Sequence, residues 1–295
     1  MTPSSDRYIA AIGMFDGVHR GHRYLLEVLE AEKKRRGLRS LVITFSNHPL
    51  SVVSPERQPS LMMSAEEKRK ELTNAGADRV LMLTFDASLR SLSGETFLGR
   101  LKNEYGVDVL VVGFDNHFGA DRLSAVSASE IAGRTGVEIV CVDAFMIDDA
   151  TPSSTLLREC VLNGRVEKAA RVAGRPYSVC GEVVAGRKVG RTIGFPTANV
   201  ASDGIVLPSD GVYAVDVVLP DGRIMRGMAN IGRRPTFNDG NGRTLEVNIF
   251  GFKGDLYGSR LEVRFLRRLR DEQTFDTPEA LAEALAGDRK AAESI

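Results

Sequence analysis

The sequence predicts a doubly wound α/β domain followed by a small antiparallel β-domain. Three observations carry this expectation. Short apolar runs at 8–13, 41–45, 80–84, 109–113 and 138–142 are separated by amphipathic stretches, as buried parallel strands joined by helices should be. Beyond about residue 174 glycine becomes dense, and apolar and polar residues alternate in "VYAVDVVL" and "RLEVRFL". A chain of 295 residues accommodates two domains of roughly 150 residues each.

The first run ends in "GMFDGVHRGH", which places Gly13, Phe15, Asp16, Gly17, Gly21 and two histidines, His19 and His22, in a bend leading into a helix. A helix N-terminus offers unpaired N–H groups and partial positive charge, so it suits phosphate. His19 and His22 are three apart and project to one side of the bend, where imidazoles can donate hydrogen bonds to phosphoryl oxygens. The same pair also reads as half a metal site lacking a nearby third ligand, or as ordinary capping and surface residues. "TFSNHP" spans the end of the second run with Asn47 and His48, and "GFDNHFGADR" follows the fourth with Asp115 and Asn116. All four histidines, His19, His22, His48 and His117, thus fall beyond C-terminal strand ends, where sheets of this kind bind ligands. Ser64 with Glu67, and Ser127 with Glu130, read as capping boxes. "SSTLLR" supplies Ser153, Ser154 and Thr155 at another helix start, with Arg158 one turn on. Alone it is a helix cap beside an exposed arginine; with the histidine bend it forms a second phosphate cradle.

In the second half, "GRKVGRTIGFPTANV" carries Gly186, Gly190 and Gly194 at intervals of four, without the Gly-Lys-Ser/Thr spacing of a P-loop. Arg187, Lys188 and Arg191 can neutralise phosphates. Thr197 and Asn199 point the same way in an extended chain, and both offer oxygen ligands that magnesium accepts. The competing reading is a hairpin loop with turn-forming Pro196, Thr197 and Asn199. "LPDGRI" predicts a hairpin, and a terminal helix is expected from about Thr277.

Net charge is zero and no like-charge block runs for five residues, which argues against a dedicated nucleic-acid or membrane-surface binder. The apolar runs are far shorter than the roughly 20 residues of a membrane helix, and "MTPSSDRY" has no signal-peptide pattern. Cys141, Cys160 and Cys180 are odd in number and widely spaced, as expected of buried thiols in a reducing cytoplasm.

A His-x-Gly-His after the first strand with a later Ser-Ser-Thr-x-x-Arg resembles the nucleotidylyltransferases. "GMFDGVHRGH", "TFSNHP" and "GFDNHFG" are similar to motifs of one branch, the FAD synthetase module of bacterial bifunctional riboflavin kinase/FAD synthetases. "GRKVGRTIGFPTANV" looks like the riboflavin kinase signature, and "GVYAV", "GMANIGRRPTF", "LEVNIF", "LYG" and "LRDEQTF" follow in that family's order. The resemblance covers the chain from about Tyr8 to the last helix. It implies a Rossmann-like nucleotidylyltransferase domain with linking helices over residues 1–172, and a six-stranded riboflavin kinase β-barrel with a terminal helix over 173–295. It implies phosphorylation of riboflavin by ATP to FMN, then adenylylation of FMN by ATP to FAD and pyrophosphate, with Mg2+ serving both. By resemblance, His19 and His22 are catalytic, and Gly13, Phe15, Asp16, Gly17, Gly21, Ser153, Ser154, Thr155 and Arg158 bind ATP. Asn47, His48, Asp115 and Asn116 line the flavin or nucleotide pocket. In the kinase, Gly186, Arg187, Gly190, Arg191, Gly194 and Pro196 bind ATP, and Thr197 and Asn199 hold the metal. Glu246 is its catalytic carboxylate, while Asn230 and Arg270 contact flavin.

Read without the motif, Glu246 is an acid facing water from a strand, and Arg270 is a solvated charge in an arginine-rich strand end. Asn116 stands where the family has phenylalanine, Asn47 where it has proline, and Asn248 where it often has histidine. Three rival readings therefore stand beside the bifunctional enzyme. They are a riboflavin kinase that has lost FAD synthesis, another nucleotidylyltransferase with an added barrel, and a flavin-binding protein without catalysis. The implied partners are small molecules, with monomer and homo-oligomer both open.

Overall fold

Strand β1, Tyr8–Ile12, is buried along its whole length, and its side chains alternate between two cores. Tyr8, Ala10 and Ile12 pack with Leu98 and Leu101 on one face of a sheet; Ile9 and Ala11 pack with Leu25, Leu26 and Leu29 on the other. A strand covered on both sides must be apolar at every position, which is why this run does not alternate. The computed structural model describes residues 6–147, 150–186, 190, 194–233 and 242–295. The chain divides into two compact units, Met1–Ser154 and Thr155–Ile295.

In the first unit, β1 is flanked by β2 (Arg39–Phe45), β3 (Arg79–Leu83), β4 (Val107–Gly113) and β7 (Glu138–Val142) in a parallel sheet of order β3-β2-β1-β4-β7. Strand order reverses between β1 and β4, and the crevice beyond their C-terminal ends is where such sheets bind ligands. Helix α1, Arg20–Arg36, stops at Gly37, whose φ of 65° is a left-handed cap. Short α2 (Leu50–Val53) precedes α3 (Ala65–Asn74), where both hydrogen bonds of the Ser64–Glu67 capping box are present. Next come α4 (Ala87–Ser91) and α5 (Gly94–Tyr105), whose Leu98 and Leu101 cover the sheet.

A two-stranded ribbon, β5 (His117–Phe118) with β6 (Leu123–Ser124), leads into α6 (Ala125–Glu130) and α7 (Ala132–Thr135). The second expected capping box does not form. Ser124, not Ser127, is the cap, and its hydroxyl accepts from the Ser127 amide at 3.1 Å, so the helix starts one turn earlier. The two-residue strand β6 is too short to announce that start by periodicity.

Helices α8 (Ser154–Leu162) and α9 (Val166–Ala173) join the two halves of the chain. Sequence grouped both with the first domain, to residue 172. Within the second unit α9 buries Val166, Ala169, Val172 and Ala173 and lies on the first and last strands of that unit. Those strands belong to a closed barrel of β8 (Tyr177–Val184), β9 (Ala198–Val200), β10 (Gly211–Val218), β11 (Ile224–Arg233), β12 (Arg243–Ile249) and β13 (Arg260–Arg270). The order is β10-β11-β12-β9-β8-β13, and closure removes the unpaired edges of an open sheet. The expected hairpin joins β10 to β11 with Gly222 at φ 85°. Helix α10, Pro278–Glu293, is capped by Thr277 and packs on β10, β11 and β13, with Leu285 and Ala292 against Ala214 and Met228.

Closure brings β8 and β9 very close at Gly181, where an added methyl would sit 1.7 Å from the Ala201 carbonyl oxygen. Gly181→Ala should therefore destabilise the barrel by about 1–3 kcal/mol, read as a lower denaturant midpoint. An unchanged midpoint would contradict this close approach.

Candidate active sites

Between Gly13 and His19 the chain turns from β1 into α1. Phe15 (φ 50°) and Val18 (φ 38°) adopt the left-handed region although neither is glycine, beside Gly17 at φ 82°. Such backbone costs on the order of 1–3 kcal/mol per residue and persists only where neighbours over-determine it. Here they do. Phe15 and Val18 are fully buried in the core between α1 and the sheet. The Gly13 amide donates to Ile43 O at 3.1 Å, and Thr44 Oγ1 donates to Met14 O at 3.0 Å. Buried Asp16 accepts from the Met62 amide at 2.9 Å, and Ser154 Oγ donates to Asp16 O at 2.8 Å.

This bend delivers the two histidines. His19 is itself the N-cap of α1, so the bland reading of it as a cap is partly right: its Nδ1 accepts from the His22 amide at 3.4 Å. An accepting Nδ1 leaves the proton of a neutral ring on Nε2. The two imidazoles stack with centroids 3.7 Å apart and planes 22° apart, and the Phe15 ring lies 4.9 Å from His22. Gly21 permits this stacking, because a Cβ there would approach His19 Nδ1 at 3.2 Å and Pro152 O at 3.3 Å. Burial lowers the His19 pKa to about 4. His22 is held well below its ordinary value by burial first, then by His19 and by the Lys68 ammonium. At neutral pH both rings are uncharged and each carries one N–H donor. His22 Nδ1 is buried without a hydrogen-bond partner. Among the described residues no group of three or more His, Cys, Asp or Glu could hold a metal ion.

The neighbouring loops converge on the same strand ends. Asn47 is a brace: its Nδ2 donates to Phe85 O at 2.8 Å and its Oδ1 accepts from the Phe85 amide at 2.8 Å, tying the loop after β2 to the loop after β3. His48 Nδ1 accepts from the Leu50 amide at 3.1 Å. Asn116 Nδ2 reaches Ile12 O, the last carbonyl of β1, at 3.4 Å, so the loop after β4 touches β1 across the switch point. Asp115 is exposed, and its carbonyl contacts His117 Nδ1 at 2.9 Å. Half-buried Ser153 and Ser154 end the first unit. Thr155, exposed, and Arg158, half-buried, stand on α8 in the second unit.

In the barrel, strand register does the gathering. Glu246 on β12 lies opposite Asn230 of β11 on one side and Asn199 of β9 on the other. Thr197 Oγ1 donates to Glu246 Oε2 at 3.4 Å. A Cβ on Gly186 would fall 2.0 Å from Asn199 Nδ2, so only glycine lets the exit of β8 run against that amide. The Phe195 amide donates to Gly190 O at 2.7 Å, Gly194 takes φ 81°, and Pro196 O accepts from Asn248 Nδ2 at 2.7 Å. Arg187, Lys188 and Arg191 lie outside the described residues.

Two cavities open on either side of Thr197, which lines both. One, of about 230 Å³, holds Asn230, Glu246, Asn248 and Arg270 against Phe195, Met228, Phe275, Leu281 and Leu285. The other, of about 100 Å³, is lined by Val183, Pro196, Val247, Ile249, Phe252, Leu256 and Tyr257. Arg270 is no solvated charge. Its Nε and Nη2 donate to the buried Asp288 carboxylate of α10 at 2.7–3.1 Å, and its guanidinium lies 5.6 Å from the Phe275 ring centroid. The smaller cavity, Asp288 and the buried Lys68 escaped the sequence reading, and of the three cysteines expected to be buried only Cys160 is, Cys141 being exposed. The cavity is assembled from four separate segments, and Lys68 sits in the highly charged "AEEKRKEL", which looks solvated throughout.

A family model described as FAD synthetase matches residues 2–156, and one described as riboflavin kinase matches residues 173–295. A bifunctional riboflavin kinase/FMN adenylyltransferase of Pseudomonas fluorescens is 38% identical, covering 100% of this chain and 95% of its own length. The Escherichia coli K12 protein of the same description is 36% identical over 95% of this chain and 90% of its own, and the Bacillus subtilis protein 32% over 96% and 91%. The crystal structure of a macrolide-efflux protein from Streptococcus pneumoniae shares the fold with a TM-score of 0.90 and 30% identity, covering 99% of this chain and 95% of that one. Among the described residues of this chain, no helix is long and apolar enough to cross a membrane.

Buried, neutral histidines have a thermodynamic consequence. Below about pH 6.5 the unfolded chain binds protons that the folded chain refuses, so the stability His19 contributes is lost as pH falls from 6.5 toward 4. Its NMR titration midpoint should lie near pH 4. A midpoint near the ordinary histidine value would contradict the burial.

Proposed function

The chain belongs to the bifunctional riboflavin kinase/FMN adenylyltransferase family, and from that premise we propose which residues carry each of its two activities. The second unit phosphorylates riboflavin with ATP, giving FMN and ADP. The first joins FMN to the AMP part of another ATP, giving FAD and pyrophosphate.

For the kinase, the contact between Thr197 and Glu246 at the meeting point of two cavities supports the assignment most directly. The larger cavity, with Asn230 and Arg270, receives the isoalloxazine ring so that the ribityl chain points at Glu246. The smaller one receives the adenine, and the phosphates cross the ledge at Pro196 and Thr197. Glu246 accepts the proton of the ribityl 5′-hydroxyl as that oxygen attacks the γ-phosphorus and ADP leaves. Thr197 and Asn199 are hard oxygen donors beside that carboxylate and would hold Mg2+, which neutralises phosphate charge during transfer. Gly186, Gly190 and Gly194 border the triphosphate, and the phosphate-binding role expected of Arg187 and Arg191 rests on the sequence motif alone. Arg270 acts through Asp288 to hold α10 and Phe275 against the flavin cavity.

For adenylyl transfer, a phosphate oxygen of FMN attacks the α-phosphorus of ATP, the bond to the bridging oxygen breaks, and pyrophosphate leaves. His19 and His22 donate from neutral rings to the phosphoryl oxygens on which charge accumulates. Gly13, Phe15, Asp16, Gly17 and Gly21 shape the bend that lets the nucleotide approach. Ser153 and Ser154 extend the phosphate site, and the phosphate-binding role of Thr155 and Arg158 rests on the Ser-Ser-Thr-x-x-Arg motif. Asn47, His48, Asp115 and Asn116 border the acceptor side. Asn47 replaces the stiffness of a proline with two hydrogen bonds to Phe85, so its loop stays defined. Positioning and charge stabilisation suffice, and no protein nucleophile is needed.

Given FMN, ATP and Mg2+, the protein should form FAD and pyrophosphate; their absence, with riboflavin still phosphorylated, would leave it a kinase alone. Glu246→Gln should lower kinase kcat by about 100-fold or more while leaving FAD formation from supplied FMN unchanged. Wild-type kinase turnover in that variant would remove Glu246 from its role.

A further inference from the structure

Lys68 on α3 is 1% exposed and among the largest fully buried side chains of the protein. Burying an ammonium is costly unless its charge is used, and methionine would fill the same space without that cost. The geometry shows where the charge goes. Lys68 Nζ donates to Phe45 O, the last carbonyl of β2, at 3.0 Å, which pins the point where the Asn47–His48 loop departs. From the bend after β1, the Asp16 carboxylate acts favourably on the ammonium. From α1, His22, whose ring is held neutral first by burial and then by His19, also feels the ammonium as a repulsive charge. On α3 itself, Glu67 is taken up by the Ser64 cap and Glu71 by Arg23, at 2.8 Å. A single buried cation thus acts on three parts of the adenylyl-transfer site: a strand end, the strained bend and a phosphate-donor imidazole.

We propose that Lys68 is a positioning residue of the adenylyl-transfer site, a buried cation that fixes the β2 terminus and Asp16 around the bend. It also supplies the positive field into which His19 and His22 present the triphosphate. The proposal rests on FMN adenylylation residing in the first unit, and its test separates the two claims.

Burial lowers the Lys68 pKa to about 8, so the side chain is cationic below that pH and neutral above it. The folded state favours the neutral form, so stability does not fall through this window, whereas a function that needs the charge does. FAD formation from supplied FMN should be measured in the full-length protein from pH 7 to 10, with riboflavin phosphorylation as the internal control and thermal unfolding followed in parallel. In wild type, adenylylation should decline above about pH 8 without unfolding. Lys68→Met should reduce adenylylation kcat on the order of tenfold or more at pH 7.5, lose that alkaline decline, unfold no earlier than wild type, and keep its kinase rate. Lys68→Arg, which stays charged, should recover part of the rate. Wild-type adenylylation in Lys68→Met, an alkaline decline that this variant retains, or a rate lost only together with the unfolding transition would each overturn the proposal. Absence of FAD synthesis by the wild type would instead refute the adenylylation assignment itself.

Discussion

The bend from Gly13 to His19 holds a conformation that its own residues disfavour, and the first candidate site depends on that constraint. Phe15 and Val18 stay at positive φ because β2, the Met62 amide and Ser154 all grip the loop from outside. With the bend fixed, His19 becomes the helix cap, His22 stacks on it, and both rings are stripped of water. A neutral imidazole in a dry pocket donates one directed hydrogen bond and needs no reorganisation when phosphate charge appears. The strain is thus stored where preorganisation is useful, which is the usual location of such outliers.

The barrel reaches a similar end by register. Asn230, Glu246 and Asn199 are neighbours because three antiparallel strands pair at those positions, and a one-residue slip would turn Glu246 to the other face. Closure of the barrel makes that slip expensive, since every strand is paired on both sides. Thr197, just before β9, then meets the carboxylate from the ledge between the two cavities. Both sites therefore consist of donors, acceptors and fixed charges held by rigid elements. They have the composition phosphoryl and nucleotidyl transfer ask for, because positioning and electrostatics supply most of the effect.

Much of this was legible in the chain. The uniformly apolar run of β1, the alternation of "VYAVDVVL", the Ser64–Glu67 box and the Asp-Gly turn each encode a local rule, and each produced its element. The histidine bend was legible because glycines and imidazoles at a strand-to-helix junction are a local pattern with a chemical meaning. What stayed hidden depends on partners distant in sequence. Ser124, and not Ser127, caps α6 because a two-residue strand ends there. Arg270 looked solvated because Asp288 lies on another element. Asn47 looked like a defect in a motif, yet its amide clamps Phe85 from a different loop. Lys68 carries no local sign of burial, since α3 is charged on almost every side of its sequence.

Direct adenylyl transfer, assisted by hydrogen-bond donors, is the step proposed for the first site. It is tested by the stereochemical course at the α-phosphorus, with ATP made chiral there and FMN as acceptor. Direct in-line displacement inverts the configuration in the FAD formed, and inversion is the result expected here. Net retention would mean two displacements through a covalent adenylyl-enzyme, and would contradict direct transfer.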